Sequence, residues 1–283
     1  MSIWKCGQYE LPLGHKTYVM GIVNVTPDSF SGDGSLGAAT VERAVQMVAD
    51  GADILDIGGE STRPGAEVIP AEEELRRVLP VLEALVNRVT VPLSVDTTKA
   101  AVAQAALAAG ASIINDISAG TFDSAMFPTI AGSDCGCVLM HLRGTPQTMG
   151  WSRQVGASNT DVIAEVKSFW QERIAAAENS GIAQERIALD PGFGFGKSLN
   201  ENLELLRRGQ ELAALGCPIL AATSRKSTIG KILHNAPVEE RLWGTAATVA
   251  LAIANGASIV RVHDVREMAQ VARMTDAVVN GLS

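Results

Sequence analysis

Arg261-Val262-His263 sets a guanidinium and an imidazole two residues apart, so in an extended strand both side chains leave one face and can grip the same anion. Asn24, Thr62 and Arg63 can join Arg261 and His263 in a cationic, hydrogen-bonding pocket suited to phosphoryl oxygens. Ser224-Arg225-Lys226-Ser227 adds cations and hydroxyls, although the same four residues also read as the solvated start of a helix. A second set, Asp56, Asp96, Asn115, His141 and Asp190, consists of polar residues that end short apolar runs. Asp and Asn are poor strand formers, so their recurrence at strand ends costs local propensity that a function should offset. Taken singly, each can be a turn or cap residue, and Asp56 is read that way, as support for the Gly58-Gly59 turn.

Those positions gain meaning from the elements that carry them. Apolar runs rich in strand formers occupy 18–25, 53–57, 92–95, 112–117, 136–141, 187–189, 218–222 and 258–262. Helical patterns follow, starting near Ala38, Ala71, Thr98, Ser124, Asp161, Asn200, Val238 and Val265. Val41, Ala44, Val45 and Val48 form one apolar stripe, and Leu75, Val78, Leu79 and Leu82 another. Gly51, Gly110, Gly181 and Gly256 stand where a helix ends in a left-handed residue. Alternating β and α elements imply parallel strands, and eight units are the number that closes a (β/α)8 TIM barrel, with an open doubly wound sheet as the competing arrangement. The barrel reading makes 1–283 a single domain, with the barrel beginning near 18 and a short N-terminal hairpin within 1–17 closing its bottom. Pro80 should kink the second helix. All βα loops of such a barrel open on one face, which gathers the strand-end residues into one mouth.

Composition limits the partners. Across 283 residues, 23 Lys+Arg against 31 Asp+Glu give a net charge of −8, which repels nucleic acid and anionic membranes and requires that any anion site be a local concentration of cations. No run of about 18 apolar residues is present and the N-terminus lacks a basic patch followed by an apolar stretch, so a cytoplasmic protein without membrane segments is expected. Four cysteines do not make a disulfide framework, Cys135-Gly136-Cys137 lacks zinc spacing, and buried free thiols are expected. Gly192-Phe193-Gly194-Phe195-Gly196 lacks the spacing of a dinucleotide fingerprint, and Gly196-Lys197-Ser198 has Pro191 where a phosphate-binding loop needs its first Gly. The stretch is read instead as a bend that carries Phe195 over the barrel mouth.

The motifs Met20-Gly21-Ile22-Val23-Asn24-Val25-Thr26-Pro27-Asp28-Ser29-Phe30-Ser31, Asp56-Ile57-Gly58-Gly59-Glu60-Ser61-Thr62-Arg63-Pro64-Gly65, Ser94-Val95-Asp96-Thr97, Ile114-Asn115-Asp116-Ile117, Leu189-Asp190-Pro191-Gly192-Phe193-Gly194-Phe195-Gly196-Lys197, Ser224-Arg225-Lys226-Ser227 and Arg261-Val262-His263-Asp264-Val265 occur in one order along the chain. Together they resemble the dihydropteroate synthase family. The resemblance implies a (β/α)8 enzyme of folate biosynthesis that joins 6-hydroxymethyl-7,8-dihydropterin diphosphate to p-aminobenzoate and releases diphosphate. It implies Asp96, Asn115, Asp190 and Lys226 for the pterin, whose N–H donors and carbonyl call for carboxylates, an amide and a cation. It implies Asn24, Thr62, Arg261 and His263 for the diphosphate, with Mg²⁺ as cofactor and Asn24 as its ligand. Thr62, Arg63, Pro64, Phe195, Lys226 and Ser227 match the p-aminobenzoate wall. Asp96, Asp190, Lys226, Arg261 and His263 are the implied catalytic residues. The weakly basic arylamine suggests an SN1-like path without a strong general base.

Sulfonamides are the implied acceptor-site inhibitors and a homodimer the implied assembly, compatible with the apolar Val271, Ala272, Met274 and Val278 of the last helix. One departure is that Ser31 is followed by Gly32-Asp33-Gly34, where the family commonly has its acid directly after the serine. The loop at 143–159 is assigned no role. The rival readings are a pterin-binding corrinoid methyltransferase, which has no use for the Ser61-Thr62-Arg63-Pro64 loop, and a catalytically silent pterin-binding paralogue.

Overall fold

The computed structural model describes residues 2–25, 35–62, 65–149 and 161–281. Ile3–Cys6 (β1) and Tyr9–Pro12 (β2) pair antiparallel as a hairpin. Eight parallel strands follow: Tyr18–Asn24 (β3), Ile54–Gly58 (β4), Leu93–Asp96 (β5), Ile113–Asp116 (β6), Gly136–Met140 (β7), Ile187–Asp190 (β8), Ile219–Ala221 (β9) and Ala257–Val262 (β10). β10 pairs with both β9 and β3, which closes the barrel and removes the open-sheet alternative.

Helices Ser35–Ala49 (α1), Ala71–Val86 (α2), Ala100–Ala108 (α3), Met126–Ala131 (α4), Val162–Asn179 (α5), Leu199–Arg207 (α6), Gly209–Ala213 (α7), Ser227–Ile232 (α8), Leu242–Ala254 (α9) and Val265–Asn280 (α10) alternate with the strands. α7 and α8 were too short to register as an apolar period. The helix expected at Val238 is only a 3-10 turn there, Val238–Glu240, and the α-helix begins at Leu242. α2 runs unbroken through Pro80.

Period-two alternation divides each strand between two cores. Val19, Leu55, Ile57, Val95 and Leu139 face outward and pack with Val78, Leu82, Val102 and Trp170 of the helices. Met20, Ile54, Ile113, Val138, Leu220 and Ile259 face inward and form an apolar floor, which Trp4 of the hairpin joins from below. Trp4 is fully buried and its indole Nε1 donates to the Arg186 carbonyl at 3.0 Å. The hairpin thus closes the barrel bottom as expected. One pleat above the floor, the same inward face carries Asp56, Asn115, Asp190 and Arg261, each two residues beyond a floor position.

Candidate active site

The polar layer is a connected lattice. Arg261 donates through Nε to Asp56 at 2.6 Å and through Nη2 to Asp96 at 2.7 Å. Asp56 has no exposure and also accepts from Ser94 Oγ at 2.6 Å and Asn115 Nδ2 at 3.1 Å. Three carboxylate and amide positions expected from sequence, Asp96, Asn115 and Asp190, are buried at this level.

Asp56 corrects the sequence reading. Its side chain does not hold the Gly58-Gly59 turn; it lies in the barrel interior and anchors Arg261 and Asn115. The turn depends on Gly59, where a Cβ would come within 2.7 Å of Val78 Cγ2 on α2. Alternation alone could have placed Asp56 inward, since Ile54, two residues before it, belongs to the floor.

Burial sets the charge states. It pushes the Asp96 carboxyl upward, against the Arg261 cation, with Asp56 and Glu74 adding to the rise. Asp190 is raised for the same reason, opposed by the Gly192 N–H, which donates to Oδ1 at 2.7 Å, and by Lys226. Burial pulls Lys226 down to about 8, while Asp190 supports its charge. Burial also works against the Arg261 cation, but Asp56 and Asp96 outweigh it and hold the guanidinium firmly charged.

His263 contributes a neutral ring rather than a second cation. Burial, reinforced by Arg261 and Arg225, lowers its pKa to about 4, so the ring is neutral at pH 7. Ser224 Oγ accepts from the His263 N–H at 3.2 Å and lies 3.0 Å from Nδ1. With the hydroxyl assigned as donor to Nδ1, the ring hydrogen sits on Nε2. Arg261 and His263 are therefore one cation and one neutral donor.

Beyond the end of β9, the neighbour of β10, Lys226 Nζ lies 4.0 Å from the Phe195 ring centroid, a cation–π contact. Phe195 is buried within the bend, and Lys226 is the N-cap residue of α8, with Ser227 following it. Arg225 is no solvated helix start: its guanidinium pairs with Asp264, and its carbonyl accepts from Arg241 Nη1 at 2.9 Å. Asp264 is accordingly engaged by Arg225 and makes no side-chain cap for α10.

Thr62 and Asp96 line a cavity of about 270 Å³ shared with Glu60, Glu74 and Lys99, and neither Phe195 nor Lys226 lines it. Asn24 is exposed at the end of β3, beside Gly58 of β4. Arg63, Pro64 and Asp33, and most of the loop at 143–159, lie outside the described residues. His141 directly follows β7 but turns away from the mouth, stacking edge-on against Phe169 of α5 with centroids 5.0 Å apart. Among the described residues no three His, Cys, Asp or Glu side chains converge as a metal cage, and no helix is long and apolar enough to cross a membrane. The four cysteines are buried and free, as expected.

Residues 20–263 match the family described as pterin binding enzyme. A dihydropteroate synthase of Synechocystis sp. is 47% identical over 273 residues, covering 96% of this chain and 93% of the relative. The structure of the Yersinia pestis dihydropteroate synthase with a sulfonamide drug complex superposes with a TM-score of 0.90 at 40% identity, covering 98% of this chain and 99% of that one. The dihydropteroate synthase of Xanthomonas albilineans in complex with 7,8-dihydropteroate superposes with a TM-score of 0.86 at 39% identity, with 100% of each chain covered. The buried carboxylate, amide and cation layer above an apolar barrel floor is thus set in a chain that belongs to the dihydropteroate synthase family of pterin-binding enzymes.

Proposed function

We propose that this chain condenses 6-hydroxymethyl-7,8-dihydropterin diphosphate with p-aminobenzoate to give 7,8-dihydropteroate and diphosphate. The observation that carries the reading is the buried set of Asp96, Asn115 and Asp190 at the level of Arg261, above an apolar floor. A flat heterocycle with N–H donors and a carbonyl on its edge fits such a set, because carboxylates accept, the amide does both and Lys226 donates. The apolar ring plane then needs no further polar partner.

In this reading the C–O bond between the pterin methylene and diphosphate breaks first, its electron pair leaving with the diphosphate. The electron-rich pterin delocalises the resulting cation, the arylamine nitrogen forms the new C–N bond, and the ammonium proton passes to solvent or to diphosphate. Asn24, Thr62, Arg261 and His263 receive the departing anion; Arg261 uses Nε and one Nη2 hydrogen on Asp56 and Asp96, so the rest of its fork can turn to phosphoryl oxygens. Neutral His263 donates from Nε2. Thr62, Arg63, Pro64, Phe195, Lys226 and Ser227 form the acceptor side, with Lys226 between both substrates. Sulfonamides, arylamines themselves, compete there, in keeping with the sulfonamide complex of the Yersinia pestis relative.

Mg²⁺ suits this donor set as an ion that arrives on diphosphate, with substrate and water supplying most ligands and the exposed Asn24 carbonyl oxygen one more. It would neutralise the charge of the leaving group. The chain is proposed to act in the cytoplasm as a homodimer through the exposed Leu251 of α9 and Met274, Val278 and Val279 of α10, which sedimentation velocity tests directly. The reaction is tested by coupled detection of diphosphate. Release that requires p-aminobenzoate supports the synthase, and its absence leaves a pterin-binding protein without catalysis.

A further inference from the structure

Lys197 takes no part in the proposed reaction, yet it is a fully buried lysine at the end of the Phe195 bend. Its Nζ donates to the Gly192 carbonyl at 3.0 Å, the His141 carbonyl at 3.2 Å and the Phe195 carbonyl at 3.4 Å. An ammonium has three N–H donors, and three backbone carbonyls face it. Two of those carbonyls belong to the bend and the third to His141, the residue just beyond β7, so one side chain ties the bend to the barrel wall.

The bend is pressed closely onto that wall. Gly192 and Gly196 have φ of +68° and +69°, and a Cβ at Gly192 would stand 1.9 Å from the His141 carbonyl oxygen. A Cβ at Gly196 would stand 2.5 Å from the Arg143 carbonyl oxygen. Asn202 of α6 holds the other side, accepting from the Gly194 N–H at 2.6 Å and donating to the Lys197 carbonyl at 3.2 Å. Burying an ammonium is costly where an apolar side chain of equal length could fill the space. Burial and the nearby Arg143 cation pull the Lys197 pKa down to about 7, with Asp190, Glu165 and Glu201 supporting its charge.

We propose that Lys197 is a positioning residue for the acceptor side of the site: it clips the Gly192–Phe195 bend onto the end of β7 and so fixes the Phe195 ring against Lys226. The clip acts through Phe195, whose ring centroid is 4.0 Å from Lys226 Nζ. The inference rests on the reading of Phe195 and Lys226 as part of the p-aminobenzoate wall.

The test compares Lys197→Met, Lys197→Gln and Phe195→Leu in the full chain by steady-state kinetics, varying each substrate in turn. Lys197→Met should raise the KM for p-aminobenzoate on the order of tenfold and leave the KM for the pterin diphosphate within about twofold, the split expected when binding of only one substrate is lost. Lys197→Gln, which keeps two N–H donors without the charge, should fall between parent and Lys197→Met, and it carries the test if Lys197→Met fails to fold. Phe195→Leu should show the same acceptor-selective rise. Equal rises for both substrates, or a fall in kcat with neither KM moved, would make Lys197 a general structural residue and overturn the proposal. An acceptor-selective rise in Phe195→Leu but in neither Lys197 variant would overturn it while the acceptor-wall reading stood. No rise in any of the three would remove both. A rise in the Lys197 variants without one in Phe195→Leu would also overturn the proposal, since the clip would not act through that ring.

Discussion

Replacing Asp56 with Asn removes one negative charge from a side chain with no exposure on which three donors converge, Ser94 Oγ, Asn115 Nδ2 and Arg261 Nε. The amide has one accepting oxygen instead of two. Kept toward Arg261 and Asn115, that oxygen leaves the new NH2 facing Ser94, whose hydroxyl can rotate and accept. The reverse orientation points an NH2 at a guanidinium and is excluded by repulsion. In the better orientation the Arg261 bond changes from charge-assisted, ~1.5 to 3 kcal/mol, to one with a neutral acceptor, ~0.5 to 1.5 kcal/mol, a loss of about 1 to 2 kcal/mol. Loss of the ion pair itself adds to this: breaking a buried pair costs ~3 to 5 kcal/mol, but Asp96 stays on Arg261, so the lower end of that range bounds the total.

Asp56→Asn should therefore destabilise the fold by about 2 to 3 kcal/mol. Asn115 loses its charged anchor and Arg261 leans toward Asp96, which disturbs at once two of the groups proposed to hold the pterin. If about half of the local loss reaches the ligand, pterin affinity falls roughly tenfold, 1.4 kcal/mol being one decade. Ser94→Ala removes one donor from Asp56 without touching Arg261 or Asn115 and should leave pterin affinity within about threefold. Calorimetric titration with a pterin lacking phosphate, alongside urea denaturation of the same samples, measures both quantities. Pterin affinity unchanged in Asp56→Asn would mean that the lattice does not position the ligand groups, and Asp56 would return to a packing role.

Asp190→Asn should weaken the phosphate-free pterin more than Asn24→Ala does, since a buried carboxylate facing N–H donors is worth ~1.5 to 3 kcal/mol per bond; equal losses in the same titration would refute the assignment of Asn24 to the anion. Lys226→Ala should raise the KM of both substrates and Arg261→Ala mainly that of the pterin diphosphate, a contrast read from steady-state kinetics with each substrate varied. Chelation of Mg²⁺ with EDTA should weaken binding of the pterin diphosphate and leave that of the phosphate-free pterin unchanged, as calorimetry can show. His141 is held neutral by burial, with Lys197 and Arg143 adding to the effect, and its pKa is pushed down to about 2. Below the ordinary value near 6.5 the unfolded chain therefore binds a proton that the folded chain refuses, and stability falls as pH drops, by up to ~1.4 kcal/mol per unit. Urea denaturation between pH 7 and pH 5 should show a shallower acid loss in His141→Leu than in the parent, and identical slopes would contradict the assigned charge state.

Much of the site was legible because strands alternate. Asp96, Asn115, Asp190 and Arg261 interrupt apolar runs near their ends, and a closed parallel barrel brings such ends together whatever their separation in sequence. Asp56 was read as a turn residue because its main partner, Arg261, lies 205 residues away, and a carboxylate before Gly-Gly is also what a turn looks like. The charge state of His263 is not legible in the sequence, because spacing locates the ring but not the burial and neighbouring cations that keep it neutral. His141 follows a strand that is buried throughout, and a run without polar alternation does not tell inward from outward. Lys197 passed as the end of a rejected phosphate-loop motif, since nothing in a sequence reports which carbonyls a bend will turn inward.

The charge arrangement of the mouth constrains how a diphosphate can enter. Arg261 is already held by Asp56 and Asp96, and His263 is neutral, so among the described residues Arg261 and His263 together bring to the side proposed for the anion one cation whose charge two carboxylates answer. Lys226 faces Phe195, with Asp190 supporting its charge. The whole chain carries −8, which adds no long-range attraction for a polyanion. A bare diphosphate would therefore gain little on entering, whereas the uncharged pterin ring meets a layer of matched donors and acceptors. Affinity in the proposed reaction then begins with the heterocycle and is completed at the phosphates by a divalent ion carried in with them. The same balance favours release after the bond breaks, because diphosphate freed from the pterin keeps only the weaker half of the contacts that held the substrate.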